Sequence, residues 1–388
     1  MRFDESTLYN IKSELDGIRC SLFDLAIWKN GIAFKKIDFT ETGRPVIKIA
    51  ELNNGINSNT SFTQGNYGED VFIRWDDILF SWSGNPQTSI DVFRYRLQDG
   101  WLNQHIFKVT ANEKLVIKDF LYYVLKFLKP HFTQIATNKQ TTGLGHVTIA
   151  DIKRMSLVVP PKEVQSQIVS ILKAVDDKIE VNTNINKNLL QQASSIYQAW
   201  FENFVLSDGL CPSSWKQGSL SDIATIMSGK RPPMKSAEKT DIAVIPIVGA
   251  ASVMGYTTDA NHTEKILITG RVGTHGVVQR FDSPCWTSDN TLVITSEFYE
   301  YTYQILQRID YRSMNRGSTQ PLITQGDMNK VSILIPDQET LRDFEVLVGQ
   351  LMIRYKANLL ENDKLAELRD TLLPRLMSGE LDVSDINI

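Results

Sequence analysis

One sequence pattern occurs twice in this chain, and it restricts the fold more than any other feature. Residues 147–160 read VTIADIKRMSLVVP, and residues 323–336 read ITQGDMNKVSILIP. The two stretches align without a gap, from Val147 with Ile323 to Pro160 with Pro336, and this alignment matches a threonine, an aspartate, a serine, a proline and six apolar positions. A chain with this pattern is expected to contain two related halves.

The similarity continues upstream of both stretches. SLFDLAIWKNG (21–31) resembles SLSDIATIMSG (219–229), and WLNQHIFKVT (101–110) resembles WTSDNTLVIT (286–295). The separation between matched segments falls along the chain, which indicates shorter loops in the second copy. Repeats this long are duplicated domains, because solenoid units have periods of roughly 20–50 residues.

Local patterns predict the same α/β elements in each copy. T-x-x-D in TIAD (148–151) and TQGD (324–327) is a helix-capping signature, so we expect one helical turn, followed by a short apolar strand that ends at proline. Short β-branched and aromatic runs between Gly, Asn and Pro predict further strands. The stretches FLYYVLKFLKPHF (120–132) and FYEYTYQILQRI (298–309) predict one amphipathic helix per copy.

A long amphipathic helix follows each copy. After Pro160 and Pro336, apolar residues recur at spacings of three and four, and about forty residues of helix extend roughly 60 Å. Pro374 is expected to end or kink the second helix. Because an apolar stripe of this length must be buried, the simplest cover for each helix is the other one, in an antiparallel pair.

Four asparagines interrupt the two apolar stripes at equivalent positions. When the alignment of the repeated stretches is extended without a gap, Asn182 matches Asn358 and Asn186 matches Asn362. A buried asparagine in a coiled coil lowers stability while it fixes the register, so we predict that these residues set the register of the helix pair. At the edge of the stripes, the same asparagines would lie in water and have no such role.

Together these patterns predict an α+β fold. Two similar α/β globular domains are separated by two long helices that form an antiparallel coiled coil, with pseudo-twofold symmetry inside the chain. The predicted segments are a first globular domain (1–161), a first long helix (162–206), a second globular domain (207–336), and a second long helix with the C-terminal tail (337–388).

Composition narrows the functional class. The formal net charge is −4 and the isoelectric point is about 5.8, which argues against a protein that coats nucleic acid through bulk charge but leaves room for local basic patches. The three cysteines form no C-x-x-C pair, so neither a disulfide framework nor a zinc knuckle is predicted. No apolar run reaches the ~18 residues of a membrane span, and we expect a cytoplasmic protein.

Two strand–proline–helix junctions and the C-terminal tail resemble those of a known family. The junctions are SLVVPPKEVQSQI (156–168) and SILIPDQETLRDF (332–344), and the tail is LRDTLLPRLMSGELDV (368–383). With the duplicated domain-plus-helix plan, they make the chain resemble the specificity subunit of Type I restriction–modification enzymes. The family's typical helix end is matched by Leu372, Leu373, Pro374, Leu376, Met377, Ser378, Gly379, Glu380 and Val383.

A second stretch adds to this resemblance, and one departs from it. WKQGSLSDIATIMSGKRP (215–232) looks like the opening of a target recognition domain of that family. Residues 1–20 lack the tryptophan that precedes the domain in the second copy, Trp215. The resemblance covers nearly the whole chain, and its most specific part is the tail.

The resemblance implies a non-catalytic DNA reader. Each target recognition domain would read one half of a bipartite, asymmetric site in double-stranded DNA, and the coiled coil would set the gap. Two modification (methyltransferase) subunits would bind this chain, bring S-adenosylmethionine and methylate an adenine in each half. Restriction subunits would join that core, while this chain itself would hold no cofactor and no metal.

Small polar and basic segments are the candidates for DNA contact, because Arg reads guanine and Gln reads adenine through paired hydrogen bonds. Two loops precede the repeated stretches, NKQTTGLG (138–145) and NRGSTQP (315–321), and the same composition also suits a solvated loop. Their candidate residues are Lys139, Gln140, Arg316, Ser318 and Gln320. Further candidates are Arg94 and Arg96, which share one face of a predicted strand, and Lys230, Arg231, Arg271 and His275. Trp82 would stack on a base or pack in the core.

The sequence offers no convincing catalytic site. NPQT (85–88) lacks the second proline and the aromatic residue of an adenine-methyltransferase motif, and no G-x-x-x-x-G-K-[ST] loop occurs. The five histidines show no metal-ligand spacing. Two alternatives to the DNA reader stay open: a symmetric coiled-coil scaffold that binds proteins but no DNA, and an enzyme with unrecognised sites.

Overall fold

The computed structural model describes residues 3–141, 143–314 and 322–383. The chain divides into two compact units: unit 1 is Met1–Glu180 with Asn362–Ile388, and unit 2 is Val181–Glu361. Each long helix therefore contributes to both units, and the boundaries of the four predicted segments stay a prediction. None of the helices in the described ranges is both long and apolar enough to cross a membrane.

Unit 1 is built from short strands and helices in mixed order. Its helices are α1 (Glu5–Tyr9), α2 (Ile49–Asn54), α3 (Lys118–Phe127), α4 (Lys129–Asn138) and α5 (Ile149–Arg154). Its strands are β1 (Ile18–Ser21), β2 (Ala26–Asn30), β3 (Arg44–Ile47), β4 (Phe62–Thr63), β5 (Phe72–Ile73), β6 (Ile78–Ser81), β7 (Ser83–Gly84), β8 (Asp91–Arg94), β9 (Gly100–Leu102), β10 (Ile106–Ala111), β11 (Gly145–His146) and β12 (Ser156–Val159).

The first long helix, α6 (Lys162–Tyr197), follows and continues as a π-helical turn, Gln198–Glu202. The strands of unit 2 are β13 (Lys216–Ser219), β14 (Ala224–Ser228), β15 (Ile245–Val248), β16 (Val253–Thr257), β17 (Ile266–Gly270), β18 (Gln279–Phe281), β19 (Trp286–Thr287), β20 (Thr291–Ser296) and β21 (Ser332–Ile335). Its helices are α7 (Tyr299–Arg308) and α8 (Gln325–Asn329), and the second long helix is α9 (Gln338–Ser378).

The two units repeat one topology. A four-stranded antiparallel sheet has the order β2-β10-β6-β8 in unit 1 and β14-β20-β17-β18 in unit 2. The antiparallel pair β1-β12 corresponds to β13-β21, and the parallel pair β3-β9 corresponds to β15-β19. The duplication that the sequence predicts is confirmed.

The repeated T-x-x-D motif folds as a capping box in both units. Thr148 accepts the Asp151 N–H at 3.3 Å, and the Asp151 carboxylate accepts the Thr148 N–H at 2.8 Å. The corresponding distances for Thr324 and Asp327 are 3.1 and 3.0 Å. Two orphan N–H groups of each short helix are thereby satisfied, and the predicted turn-then-strand order is confirmed.

The helices α3 and α9 end at positions that differ from the prediction, and a proline is involved in each case. Unit 1 has two consecutive helices, α3 and α4, where one was predicted, because Pro130 lies in the first turn of α4 and lacks the N–H that would continue α3. The second long helix does not end at Pro374 and runs on to Ser378. Burial of Leu376 and Met377 beyond the proline favours this continuation.

The long helices run antiparallel to each other within each unit. In unit 1, Arg369 Nη1 donates to Asp176 Oδ1 at 3.0 Å, and Asn362 Nδ2 donates to Ile179 O at 3.4 Å. Residue numbers rise along α6 while they fall along α9. The side chains Ile168, Leu172, Leu373 and Leu376 enter the main apolar core of unit 1.

The same pairing continues in unit 2. Asn182 donates to Glu361 at 2.8 Å, and Asn358 Nδ2 donates to Asn186 Oδ1 at 2.9 Å. All three of these asparagines are buried, whereas Asn362 is half-buried. The C-terminal part of α6 and the N-terminal part of α9 complete the core of unit 2. Their side chains in this core include Leu189 and Ala193 from α6, and Phe344 and Val348 from α9. The asparagines therefore do not lie in water, and their role in the register stays a prediction.

Replacing the buried amide pair by leucines tests that role. We expect Asn186→Leu with Asn358→Leu to raise the melting temperature by about 2–4 °C, because apolar pairs avoid the desolvation of two amides. Asn358→Leu alone is expected to lower it, since Asn186 Oδ1 then loses its donor. Thermal unfolding of the wild type, the double variant, and the two single variants Asn186→Leu and Asn358→Leu measures both effects. A double variant less stable than both single variants would contradict the interpretation.

Candidate nucleic-acid interface

Separate polar segments meet on one surface of unit 1. Strand β7 pairs with β11, which joins segment 82–90 to the segment made of residues 138–141 and 143–146. Trp82 Nε1 donates to Asn30 Oδ1 at 2.9 Å, so the end of β2 lies at the same place. We name these two segments, with Asn30, loop surface 1. The sequence predicted candidates in both segments without indicating that they touch.

Loop surface 1 exposes amides and hydroxyls. The Asn85 side chain accepts the backbone N–H groups of Gln87 at 2.9 Å and Thr88 at 3.2 Å, which fixes a tight turn. Gln87, Thr88 and, across the β7–β11 pair, Gln140 and Thr141 are exposed. These groups both donate and accept hydrogen bonds, as readout of base edges requires.

Trp82 itself belongs to the scaffold of this surface. Its ring stacks against Phe107 at 5.6 Å, and it packs on the core of unit 1. Its carbonyl accepts the Val147 N–H at 2.8 Å. Packing thus accounts for the tryptophan, in agreement with the core alternative that its sequence context left open.

Unit 2 forms the corresponding surface with different side chains. Arg271 O accepts the Ile323 N–H at 3.0 Å, so Arg271 takes the backbone position that Trp82 has in unit 1. His275 Nδ1 lies 3.1 Å from Gly270 O, and Gln325 Nε2 donates to Ser228 Oγ at 3.2 Å. We name segment 271–276, with Ser228 and residues 322–325, loop surface 2.

Three predicted DNA contacts in the second copy lie outside the described residues. They are Arg316, Ser318 and Gln320. Their neighbours Met314 and Leu322 bound that segment, and Leu322 pairs with Val272 of loop surface 2. The three residues stay predictions.

Lys139 holds a buried aspartate in the structure. Its Nζ lies 2.6 Å from both carboxylate oxygens of Asp151, which is 2% exposed. Burial alone would raise the pKa of Asp151, but the hydrogen bonds from Lys139 and Thr148 hold it below its usual value. The lysine therefore stabilises the capping box, and its contact with DNA stays a prediction.

Arg94 and Arg96 share one face, as their alternation predicts, since both donate to Asp76 Oδ1, at 3.2 and 2.7 Å. Arg94 also donates to Asp119 at 2.6 Å, and its guanidinium lies 4.5 Å from the Tyr122 ring centre. Its side chain is 14% exposed. The charge of Arg94 is thus balanced inside unit 1, and the two DNA contacts stay predictions.

The same arrangement recurs in unit 2 with a residue that sequence reasoning missed. Arg280 pairs with Glu300 and lies 4.0 Å from the Tyr303 ring centre. In each unit an edge-strand arginine meets an acid and a tyrosine three residues apart on a helix. The acid-x-x-Tyr spacing in α3 and α7 is the signal that would have found it. We interpret both arginines as links between sheet and helix.

The segment after β14 is exposed and basic. Arg231 is 86% exposed at its side chain and lies 3.6 Å from Asp289, and the Lys230 carbonyl accepts the Trp286 indole N–H at 2.7 Å. Lys235 and Lys239 are also exposed, so segment 230–239 carries four cations. In unit 1, Lys35 and Lys36 after β2 and Lys29 within β2 are exposed, and sequence reasoning did not single them out. Exposed cations beside polar loops suit contact with phosphates.

Known proteins provide independent comparisons. A family model described as the Type I restriction modification DNA specificity domain matches residues 20–191 and 212–368. The chain is 24% identical to the Type I restriction enzyme HindI specificity subunit of Haemophilus influenzae, over 74% of this chain and 84% of that protein. It is 25% identical to the MjaIX specificity subunit of Methanocaldococcus jannaschii, over 70% of this chain and 71% of that protein.

A solved structure shares the fold. The crystal structure of the Type I restriction–modification system S subunit from M. genitalium superposes with a TM-score of 0.53 and covers 95% of this chain and 97% of that one. The sequence identity is 18%. The likeness supports the predicted architecture and carries no information about individual side chains.

Removing the Lys139 amine tests its structural role. We expect Lys139→Met to destabilise the protein by about 1–3 kcal/mol at pH 7, because the Asp151 carboxylate loses its cationic partner. The pKa of Asp151 is lowered in the folded state from 3.8, so its stabilisation is present above that pH and is lost as the pH falls through the folded value. Chemical denaturation at pH 7 and pH 3 should show the difference shrinking at pH 3, with Gln140→Met as the control. Unchanged stability at pH 7 would contradict this role.

Proposed function

Since this chain belongs to the Type I restriction modification DNA specificity family, we propose that it reads a bipartite DNA site, with one half read by each unit. The proposal rests on a comparison of the two units with each other. The two units repeat one sheet topology, yet Trp82 in loop surface 1 is replaced by Arg271 in loop surface 2. Similar scaffolds with different side chains at their loop surfaces suit two different half-sites.

Loop surface 1 is proposed to read its half-site through neutral groups. Gln87 and Gln140 are exposed there, and a glutamine amide pairs with the N6 and N7 edge of adenine. Loop surface 2 has Arg271, whose guanidinium suits the O6 and N7 edge of guanine. Of the remaining predicted contacts, Lys230 and Arg231 suit the phosphates that position each unit.

The paired long helices are proposed to set the gap between the half-sites. The hydrogen bonds between them, such as Asn186 with Asn358, restrict sliding of one helix along the other. Half-sites on one face of a duplex are separated by about one turn, ~34–36 Å. A helix pair of fixed register is a suitable spacer for this distance.

The chain is proposed to be the non-catalytic, cytoplasmic member of a larger complex. Two modification subunits would bind S-adenosylmethionine and methylate each half-site, and restriction subunits would join them. The net charge of −4 supports this division, because DNA binding by phosphate contact alone needs a strongly basic surface. Other subunits are proposed to supply part of that charge.

Selection from a randomised duplex pool tests the function. The full chain, alone and with a co-expressed modification subunit, is expected to enrich one split motif. Absence of enrichment with the partner present would favour a protein-binding scaffold without DNA recognition. Product formed by the isolated chain would instead favour an enzyme.

Two substitutions assign the half-sites and serve as controls for each other. Arg271→Ala is expected to lose about 1–3 kcal/mol of discrimination at one position of one half-site, because a bidentate reader of guanine is removed. Gln140→Ala is expected to relax the other half-site only. Pool selection with each variant measures both effects. Loss of discrimination in the same half-site for both variants would contradict the assignment of one half-site to each unit.

Lengthening the helix pair tests the spacer. Seven residues inserted after Glu180 and seven after Glu361 leave the helix contacts within each unit intact and add about 10 Å to the pair. The selected gap is expected to grow by up to about three base pairs, since base pairs stack every ~3.4 Å, while both half-site sequences stay the same. A change in the half-site letters at constant gap would rule out the spacer role.

A further inference from the structure

The segment that precedes β1 fills a groove in unit 1. The Phe3 ring stacks on His131 with ring centres 3.9 Å apart. Gln134 binds both main-chain groups of Phe3, accepting its N–H at 2.7 Å and donating to its carbonyl at 2.6 Å. Residues 3–11, which we name the N-terminal segment, are thus bound specifically on α4.

The other end of the N-terminal segment binds α5 and the edge of β12. Tyr9 Oη donates to Asp151 at 3.0 Å, and the Arg154 guanidinium lies 3.9 Å from the Tyr9 ring centre. Ile11, 5% exposed, donates its N–H to Ser156 O at 2.8 Å. This contact lies beside β12 on the edge opposite to β1, so the segment extends the sheet by one backbone hydrogen bond.

In unit 2 the equivalent positions line an open cavity. In the gapless alignment of the two repeats, Asp327, Lys330 and Ser332 match Asp151, Arg154 and Ser156. They lie around a cavity of about 750 Å³. The cavity wall also includes Tyr197, Ile305, Arg308, Ile309 and Met314.

The backbone edge of β21 faces this cavity. Val331 O accepts the Leu220 N–H at 2.9 Å, which directs that carbonyl towards β13. Successive carbonyls of a strand alternate in direction, so Ser332 O points to the opposite edge, as Ser156 O does in unit 1. The connection before β13 does not fill the cavity as the N-terminal segment fills the groove of unit 1: Phe204 packs on Trp215 with ring centres 5.9 Å apart, and no residue from 203 to 215 is among those that line the cavity.

We name this cavity, with the free edge of β21, the groove of unit 2. We propose that it binds a short segment of a partner protein with the chemistry of residues 3–11. The occupant combines an aromatic ring for the wall near Ile309, a helical turn, and an extended residue whose N–H pairs with Ser332 O. Recognition of this kind combines β-strand addition with a side-chain pocket. It does not depend on the DNA-reading function.

The occupant belongs to another protein rather than to a second copy of this chain. A second copy would fill the groove of unit 2 only by withdrawing its N-terminal segment from its own unit 1. That exchange breaks the contacts of Phe3, Tyr9 and Ile11 to form a similar set, so it yields no net gain and adds the entropic cost of association. A partner segment has no such contacts to lose.

A labelled peptide of residues 3–14, FDESTLYNIKSE, is the probe for the groove. In fluorescence anisotropy with the full-length chain, we expect saturable binding of one peptide per chain, unchanged by duplex DNA. Ser332→Trp, which fills the groove, should weaken binding at least ten-fold. Lys330→Glu should weaken peptide binding at least five-fold, because Lys330 occupies the position at which Arg154 contacts Tyr9 in unit 1. This second variant tests the proposal if Ser332→Trp does not fold. Lys216→Glu, the same charge change on β13, should leave binding unchanged.

Cross-linking locates the bound peptide. With a benzophenone in place of the Phe3 ring, adducts are expected between residues 305 and 314 of unit 2. Adducts at His131 or Gln134 would show exchange with the chain's own segment and would overturn the proposal, as would absence of saturable binding. Dimerisation of the wild-type chain that disappears on deletion of residues 1–11 would identify a second copy as the occupant and would also overturn it.

Discussion

Burial of the apolar stripes on the two long helices is the constraint on which the rest of the structure depends. A helix such as α9, 41 residues long, loses about 1.5–3 kcal/mol for each large apolar side chain left in water. The structure buries the stripes chiefly inside the units, where Leu172 and Leu376 join one core and Leu189 and Phe344 join the other. Each unit therefore needs parts of both helices. Unit 1 joins two separate stretches of sequence, whereas unit 2 is the continuous stretch Val181–Glu361.

Features that depend on short-range pattern could be predicted from the sequence. The capping boxes follow from four adjacent residues, and the antiparallel helices follow from periodicity together with the intervening domain. The break between α3 and α4 could also have been predicted, since Pro130 lies inside the stretch that was predicted to be one helix. Pro374 carries the same signal but has a different outcome, because the side chains beyond it, Leu376 and Met377, are buried and hold the last turn in place. Proline alone cannot distinguish these cases; the tertiary packing after it decides.

The partners of individual charged side chains, and contacts between very short strands, could not be predicted. Lys139 and Arg94 were candidates for DNA contact because of their charge, yet their partners Asp151 and Asp119 lie 12 and 25 residues away. Loop surface 1 is assembled through β7 and β11, which have two residues each, too few for any periodicity to show. Charge alone therefore does not distinguish a residue that contacts DNA from one that forms an ion pair inside the protein.

Internal duplication separates what packing requires from what each unit does individually. The capping boxes and the arginine–acid–tyrosine contacts are the same in both units because the same sheet and helices must be joined twice. The loop surfaces differ, with Trp82 in one and Arg271 in the other, and so does the groove that the N-terminal segment fills in unit 1. Since the scaffold around these places is shared, the differences lie in the side chains and segments that each unit adds to it. We propose that they mark the two places where the units interact with different molecules: DNA half-sites at the loop surfaces, and a protein segment at the groove of unit 2.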